Sequence, residues 1–170
     1  MPRQMVYDVD VEIPAAAMYR NITAIDYWQD LVDFYRDNAV RAEIAHFSSD
    51  SSGTDIAFAH TLSPDSLPAV ARGVLPETLA VTREQHFEPF TEATNEALGR
   101  YRARIPAPAE VSGDYLLRDV EQGSRMTLTT VCHVWVPIIG GQIELLLANG
   151  LKTLFAKEGE FTADWVRHHR

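Results

Sequence analysis

The sequence predicts an α+β fold in which a curved, seven-stranded antiparallel sheet packs against one long C-terminal helix. Two observations lead to this prediction. The segment 141–170 contains no proline, and its apolar side chains recur at helical spacing within about 40° of one another. Ahead of it, seven segments alternate apolar and polar residues at the spacing of β-hairpins. The expected order is therefore strand, two helices, six strands and helix.

The N-terminal part is expected to form one strand and then two helices. Residues 5–13 alternate between apolar and acidic side chains. The acidic side chains are those of Asp8, Asp10 and Glu12. We interpret them as a solvent-exposed row, because the alternation disfavours the alternative, a metal site. Pro14 suits a first helical position, a short helix follows over 15–20, and a second apolar helical pattern runs from residue 27 to about residue 38.

From residue 40 the apolar period changes to two, which predicts six consecutive strands. Small residues fall on the predicted inward faces at Ala97, Gly99 and Gly113. They indicate either tight packing of the helix on the sheet or room for a ligand. The interruption over 63–77 predicts a short helix, which we interpret either as a lid over a cavity mouth or as a packed connector.

The C-terminal helix is expected to run for about 27 residues, or about 40 Å, and so needs a long apolar partner surface. Its apolar stripe consists of Ile143, Leu147, Leu154, Phe161 and Trp165. Glu158 interrupts this stripe, since it lies about 60° from Ile143 and points towards the sheet. Either this carboxylate lies at the edge of the stripe, where it reaches water or an arginine, or it lies inside a cavity under the helix.

The composition excludes several classes of function. The 170 residues fit one domain spanning 1–170, and an apolar fraction of 46% is sufficient for a core. A net charge of −9 argues against a nucleic-acid partner and against docking to anionic membranes. A single cysteine, Cys132, is typical of a reducing compartment. With no signal peptide and no apolar run of about 18 residues, we expect a cytoplasmic protein without integral membrane association.

Two stretches of the chain resemble a known superfamily. They are VEIPAAAMYRNITAIDYWQDL at 11–31 and VPIIGGQIELLLANGLKTLFAKEGEFTADWV at 136–166. With the element order, they resemble the START-like (SRPBCC) superfamily, the helix-grip fold of polyketide cyclase-like and plant allergen-like proteins. The second stretch is similar to a subfamily of unknown function. The resemblance implies a helix-grip fold with an internal hydrophobic cavity for an apolar or amphipathic molecule, and it implies no catalytic residues.

Familiar motifs for phosphate, dinucleotide, hydrolytic or zinc chemistry are missing, so we expect no cofactor and no metal. Ten polar or ionisable side chains nevertheless fall on inward faces. They are His46, His60, Arg83, Gln85, Asn95, Tyr101, Tyr115, Thr130, Cys132 and Glu158. Because buried polar groups are costly unless satisfied, these either pair with one another or reach water at strand ends. As a set, they are also typical of the few polar contacts in a small-molecule pocket.

Arg83 gives the most specific expectation, because it shares its strand face with Leu79, Val81 and Phe87 and so points inward. A buried guanidinium needs a partner, and Glu158 on the helix is the nearest candidate. We expect either an Arg83–Glu158 pair that lines the cavity or an Arg83 that binds a ligand carboxylate. The predicted ligand-binding residues are Arg83, Glu158, His60, Tyr115, Phe58, Asn95 and Leu154.

The sequence favours one function and leaves two alternatives. The favoured function is non-covalent binding of a small hydrophobic ligand, such as a lipid, an isoprenoid or a polyketide-like compound. The first alternative is a cyclase- or hydrolase-like enzyme with His60, Arg83 or Glu158 as acid–base groups, which requires two titrating groups within hydrogen-bond reach at one point. The second is a packed module that binds a partner or forms a homodimer, which requires an exposed apolar patch and no cavity.

Overall fold

The computed structural model describes residues 2–38, 40–62, 69–73, 76 and 78–169. Its elements are β1 (Arg3–Val11), α1 (Ala15–Ile22), α2 (Ile25–Asp37), β2 (Ala42–Asp50), β3 (Gly53–Leu62), α3 (Ala69–Arg72), β4 (Leu79–Phe87), β5 (Glu96–Arg104), β6 (Ala109–Val120), β7 (Gly123–Val134) and α4 (Gly140–His168). This confirms the predicted order of strand, helix pair, six strands and long helix. The predicted lid, 63–77, falls largely outside the described residues, and its role stays a prediction.

The seven strands form one curved antiparallel sheet in the order β1-β7-β6-β5-β4-β3-β2. Strands β2 to β7 pair with their neighbours in sequence, and β1 pairs with β7 from Arg3 opposite Cys132 to Val11 opposite Ser124. β1 and β2 are therefore the two edges, and α1 and α2 carry the chain from one edge to the other. On the inner face, α4 packs against β1 and β7, while α2 packs against β2.

The buried face of α4 is rotated by about 70° from the predicted stripe. Its buried side chains include Ile143, Glu144, Ala148, Phe155, Thr162, Trp165 and Val166. The rotated face combines apolar side chains with two polar contacts that the apolar pattern does not show. Glu144 accepts a hydrogen bond of 3.0 Å from the backbone N–H of Val134, and Thr162 shares a hydrogen bond of 2.8 Å with the Tyr27 hydroxyl. Leu147, a member of the predicted stripe, is consequently only half-buried.

Two residues that the alternation predicts to face inward are exposed. The pairing of β2 with β3 shifts between Ile44 and His46, and this bulge reverses the alternation, so that His46 faces solvent and Phe47 packs on the core. The prediction that Asn95 faces inward is also wrong. It lies in the turn before β5 with a φ of +52°, a left-handed conformation that asparagine tolerates, and the strand begins only at Glu96.

The two glycines among the small inward residues, Gly99 and Gly113, are covered by aromatic side chains and leave no room for a ligand there. Tyr101 lies opposite Gly113, and Tyr115 lies opposite Gly99 in the pairing of β5 with β6. A Cβ atom on Gly113 would lie 2.7 Å from the Tyr101 ring. On Gly99 it would lie 3.0 Å from the Phe87 ring and 3.3 Å from the Tyr115 ring. Aromatic rings from neighbouring strands therefore cover both glycines.

The acidic row on β1 faces solvent, as predicted. Asp10 accepts hydrogen bonds of 2.7 and 3.0 Å from Arg125 on β7, and these lower the pKa of its carboxyl group. Asp8 accepts a hydrogen bond of 2.7 Å from Thr127. In the part of the chain that the structure describes, no helix is both long enough and apolar enough for a membrane span.

Candidate functional site

A pocket of about 80 Å³ lies between the inner face of the sheet and the first half of α4. Strands β3 to β7 and the connection after β5 provide most of its lining, which is largely aliphatic. The helix contributes Ile143, Leu147, Leu151, Leu154 and Phe155. The three leucines are half-buried rather than fully packed on the sheet. The polar side chains in the lining are His60, Arg83 and Tyr101.

A second, smaller pocket of about 50 Å³ lies on the other side of Phe155, towards α1 and α2. Phe155 lines both pockets and is 3% exposed, so its ring forms part of the partition between them. Arg83 lines the first pocket and Glu158 lines the second. The cavity that the sequence predicts under the helix is therefore divided into two compartments.

Arg83 and Glu158 form the ion pair that the sequence predicts. Arg83 donates from Nη2 to Oε1 of Glu158 at 2.7 Å and from Nη1 to Oε2 at 3.0 Å, which is the two-point geometry of the strongest such pairs. Their side chains are 6% and 15% exposed. The hydroxyl of Tyr35 on α2 also donates to Oε1. Below the guanidinium, the Phe58 ring centre lies 5.2 Å from Cζ of Arg83.

The protonation states follow from burial and charge. Burial acts to lower the pKa of Arg83, but the charge and hydrogen bonds of Glu158 outweigh burial and raise it, so the guanidinium stays charged. Burial and the charge of Glu158 raise the pKa of Tyr35, so its hydroxyl keeps the proton that it donates. Burial, reinforced by the charge of Arg83, lowers the pKa of His60 to about 4, so this imidazole is neutral at neutral pH.

Most of the other inward polar groups satisfy one another, which was one of the two expectations. Tyr115 donates to Gln85, and Tyr101 shares a hydrogen bond with Thr130. Three atoms near the pockets nevertheless have no hydrogen-bond partner among the described residues. They are Nδ1 of His60, Nε of Arg83 and Nε2 of Gln85. Within the described ranges, no group of three or more His, Cys, Asp or Glu side chains is arranged to hold a metal ion.

The predicted ligand-binding residues separate into groups. His60, Arg83 and Leu154 line the first pocket, whereas Glu158 and Tyr115 line the second. Phe58 is fully buried beneath Arg83 and lines neither pocket, and Asn95 is exposed on the surface. Sequence reasoning missed Tyr35 and Phe155. Tyr35 could have been found, because a tyrosine on a buried helix face needs a partner for its hydroxyl.

Comparison with known proteins places this chain in a family. Residues 6–166 match the family model described as a protein of unknown function (DUF2505). The chain belongs to the DUF2505 family. Uncharacterised proteins of Mycobacterium tuberculosis (strain H37Rv) and Mycobacterium bovis are each 27% identical to this DUF2505 chain over 178 residues, and the match covers 99% of both chains.

The fold of this DUF2505 protein is similar to several solved structures. The Zhui aromatase/cyclase from Streptomyces sp. R1128 has a TM-score of 0.65 at 12% identity, covering 100% of this chain and 97% of that one. A protein from Thermus thermophilus, TTHA0849, has a TM-score of 0.59 at 12% identity, covering 96% and 99%. Norcoclaurine synthase from Thalictrum flavum has a TM-score of 0.57 at 12% identity, covering 100% and 89%. These similarities confirm the helix-grip fold.

Proposed function

We propose that this DUF2505 protein binds an apolar or amphipathic small molecule in the first pocket, between the sheet and α4. One observation carries the proposal. The leucines Leu147, Leu151 and Leu154 on α4 face an aliphatic pocket and are only half-buried, rather than packed on the sheet. A ligand that covers them removes apolar surface from water, at about 25 cal/mol per Å².

The size of the pocket limits the ligand. Small-molecule sites typically measure about 300–1,000 Å³, whereas this pocket measures about 80 Å³. A compact molecule, or one end of a longer chain, fits this space. Rotation of Phe155 would join the second pocket of about 50 Å³ and lengthen the site. The fold supports the proposal, since the norcoclaurine synthase structure is a complex with dopamine and hydroxybenzaldehyde.

A pocket-filling substitution tests the proposal. Ligands from a panel of fatty alcohols, ketones, isoprenoids and aromatic polyketides are expected to raise the thermal midpoint of the native protein. Leu151→Trp places an indole in the first pocket and is expected to abolish this increase. Leu145→Trp is the matched control, because Leu145 lies on the same helix, is 46% exposed and lines neither pocket. Equal ligand responses in the two variants would contradict binding at this site.

Catalysis in the same place is the second candidate, and one observation favours it. Tyr35, Arg83 and Glu158 meet within hydrogen-bond reach beside the neutral imidazole of His60. Glu158, however, already accepts three hydrogen bonds, which leaves His60 as the better candidate base. Incubation of the bound ligand with the native protein, followed by mass spectrometry, tests this candidate. A changed ligand mass that disappears in His60→Gln would favour the enzyme, and an unchanged mass would favour the carrier.

Self-association of the DUF2505 protein stays a prediction. Val6 on β1 and Val131 on β7 are exposed diagonal neighbours on the outer face of the sheet, and Trp135 beyond β7 is 53% exposed. Sedimentation velocity over a range of protein concentrations tests it, with a concentration-independent monomer as the contrary outcome.

A further inference from the structure

We infer that this protein docks on the surface of a zwitterionic lipid bilayer through an apolar tip. The tip consists of two connections at one end of the sheet, residues 105–108 between β5 and β6 and residues 135–139 between β7 and α4. The inference goes beyond the proposed function, because docking of the tip can be measured without any ligand in the pocket.

The two connections contain no charged, hydroxyl or amide side chain. Their sequences are IPAP and WVPII. Connections normally run over the surface of a protein, in contact with water. The hairpins at the opposite end of the sheet follow this rule, since residues 51–52, 88–95 and 121–122 are mostly polar. The two ends of the sheet therefore differ sharply in the composition of their connections.

The tip is exposed, and its two connections lie side by side. The backbone N–H of Trp135 donates to the carbonyl of Pro108 at 2.8 Å, which joins them. Trp135 is 53% exposed and Ile138 is fully exposed. Ile138 also has a φ of +71°, a left-handed conformation that is costly for a β-branched residue. Burial within the described chain does not offset this cost, so we expect an external apolar surface to cover the tip.

The backbone of the tip favours lipid over a protein as that surface. Its three prolines have no N–H group to satisfy. Five N–H groups of the tip and the residues directly after it donate to backbone carbonyls there, and they belong to Ala107, Ala109, Trp135, Ile139 and Gly140. Hydrocarbon offers no hydrogen bonds, so backbone groups near it must be satisfied internally. A protein partner would instead form about one hydrogen bond per 100–200 Å² of interface, for which the side chains of the tip offer only the indole N–H of Trp135.

Trp135 and the charge of the chain determine the kind of bilayer. Tryptophan is enriched at membrane–water interfaces, where its ring lies at the level of the head groups. The chain has a net charge of −9 and the tip carries no charge, so anionic lipids provide no electrostatic attraction. Docking therefore depends on insertion of apolar side chains, for which a zwitterionic bilayer is sufficient.

The tip is continuous with the wall of the first pocket. Ile105, Ala107, Pro108 and Val136 belong to the two connections and line this pocket. Docking thus brings part of the pocket wall to the bilayer surface, from which an apolar ligand can enter. Entry of a ligand rests on the proposed function, whereas docking itself does not.

Co-sedimentation of the native protein with phosphatidylcholine vesicles tests the inference. We expect the protein to sediment with these vesicles. Higher salt should not weaken the binding, and partial replacement of the lipid by phosphatidylserine should not strengthen it. Absence of binding to phosphatidylcholine vesicles, or binding only when phosphatidylserine is present, would overturn the inference while leaving the proposed function intact.

Ile138→Asn tests the tip without disturbing the core. It is expected to lower the affinity for phosphatidylcholine vesicles about ten-fold, because an inserted apolar side chain is lost. The thermal midpoint should stay the same or rise, since asparagine tolerates the left-handed conformation. Leu98→Asn is the matched control, because Leu98 is 51% exposed on β5, near the opposite end of the sheet. Equal vesicle affinities of the two variants would overturn the inference.

Fluorescence quenching by brominated phosphatidylcholine identifies the inserted residue. Trp28 and Trp165 are 4% and 8% exposed, so Trp135 is the tryptophan that can contact lipid. Vesicles should quench the native protein, whereas Trp135→Leu should lose the quenching but keep vesicle affinity within about three-fold. Unchanged quenching in Trp135→Leu would show that another surface contacts lipid and would overturn the inference. A native dimer in sedimentation velocity that Ile138→Asn abolishes, without vesicle binding, would overturn it in favour of a second copy of the chain.

Discussion

The two halves of α4 make opposite kinds of contact. From Glu158 onwards, side chains of the helix hydrogen-bond to α2. These bonds join Glu158 to Tyr35, Thr162 to Tyr27 and Trp165 to Asp30. Before Glu158, the helix accepts a bond from the backbone of Val134 at Glu144 and otherwise presents mainly aliphatic side chains to the first pocket. One end of the helix is thus fixed by polar and aromatic contacts, which lets the other end serve as a pocket wall.

Under the proposed function, the difference lets one amphipathic helix contribute to stability at one end and to ligand binding at the other. Aromatic rings surround the second half, where the Tyr27 ring centre lies 5.8 Å from that of Phe161 and 5.4 Å from that of Trp165. Such rings bury large areas at low entropic cost. The half-buried leucines of the first half add less to the core and leave apolar surface for a ligand. Substitutions in the two halves should therefore differ in their effects.

The largest effect is expected at the boundary between the halves. Glu158→Ala leaves the buried guanidinium of Arg83 without its charge partner, so the free energy of unfolding should fall by about 3–5 kcal/mol. Urea denaturation measures this loss. Glu160→Ala, on the exposed side of the same turn, is the control and should change stability by less than about 0.5 kcal/mol. Similar losses in the two variants would contradict a structural role for the pair.

Removal of the partition between the pockets is expected to have the next largest effect. Phe155→Ala should lower the free energy of unfolding by about 3–4 kcal/mol, because a large buried ring is lost from the centre of α4. The same substitution joins the two pockets, so the preferred ligand chain should lengthen. Affinities across alcohols of increasing length check this expectation, and an unchanged optimum length would show that the pockets are not parts of one site.

The buried imidazole predicts a pH dependence of stability. The pKa of His60 is lowered from 6.5 to about 4, so the native state favours the neutral form. Its contribution is complete above pH 6.5 and is lost as the pH falls from there towards 4, by at most about 3 kcal/mol. His60→Gln should lose less stability over this interval than the native protein does. Parallel pH profiles from urea denaturation would contradict this prediction.

The smallest effect is expected in the pocket wall. Leu151→Ala should lower the free energy of unfolding by about 1 kcal/mol, since the side chain is half-buried and partly faces the pocket. Val166→Ala, in the second half of α4, removes fewer atoms but should cost about 2 kcal/mol because Val166 is 1% exposed. A larger loss of stability for Leu151→Ala than for Val166→Ala would contradict the proposed difference between the two halves of α4.

Much of the fold could be predicted because apolar periodicity is a local property of the sequence. The period of two marks the six strands after α2, and the long helical pattern marks α4. Parity along β4, combined with the need to neutralise a buried charge, was sufficient to pair Arg83 with Glu158. The prediction of the strands and of α4 needs only one element at a time, and the prediction of the ion pair needs only two opposite charges.

The remaining features depend on contacts that periodicity does not encode. The buried face of α4 includes Glu144, which accepts a hydrogen bond from the Val134 backbone, and Thr162, which shares one with Tyr27, 135 residues away. His46 and Asn95 were misplaced because a bulge and a left-handed turn residue change the alternation locally. Apolar patterning also could not show that Phe155 lines both pockets, because that depends on how the helix lies on the sheet.

Mass spectrometry of the freshly purified protein, first native and then denatured, is the most direct test of ligand binding in the pocket beside α4. A discrete additional mass should appear in the native spectrum and disappear on denaturation, and it should be absent from Leu151→Trp but present in Leu145→Trp. The mass lost would also identify the chemical class of the ligand. A native spectrum that shows only the chain itself, together with no stabilisation by any ligand in the panel, would contradict the binding function.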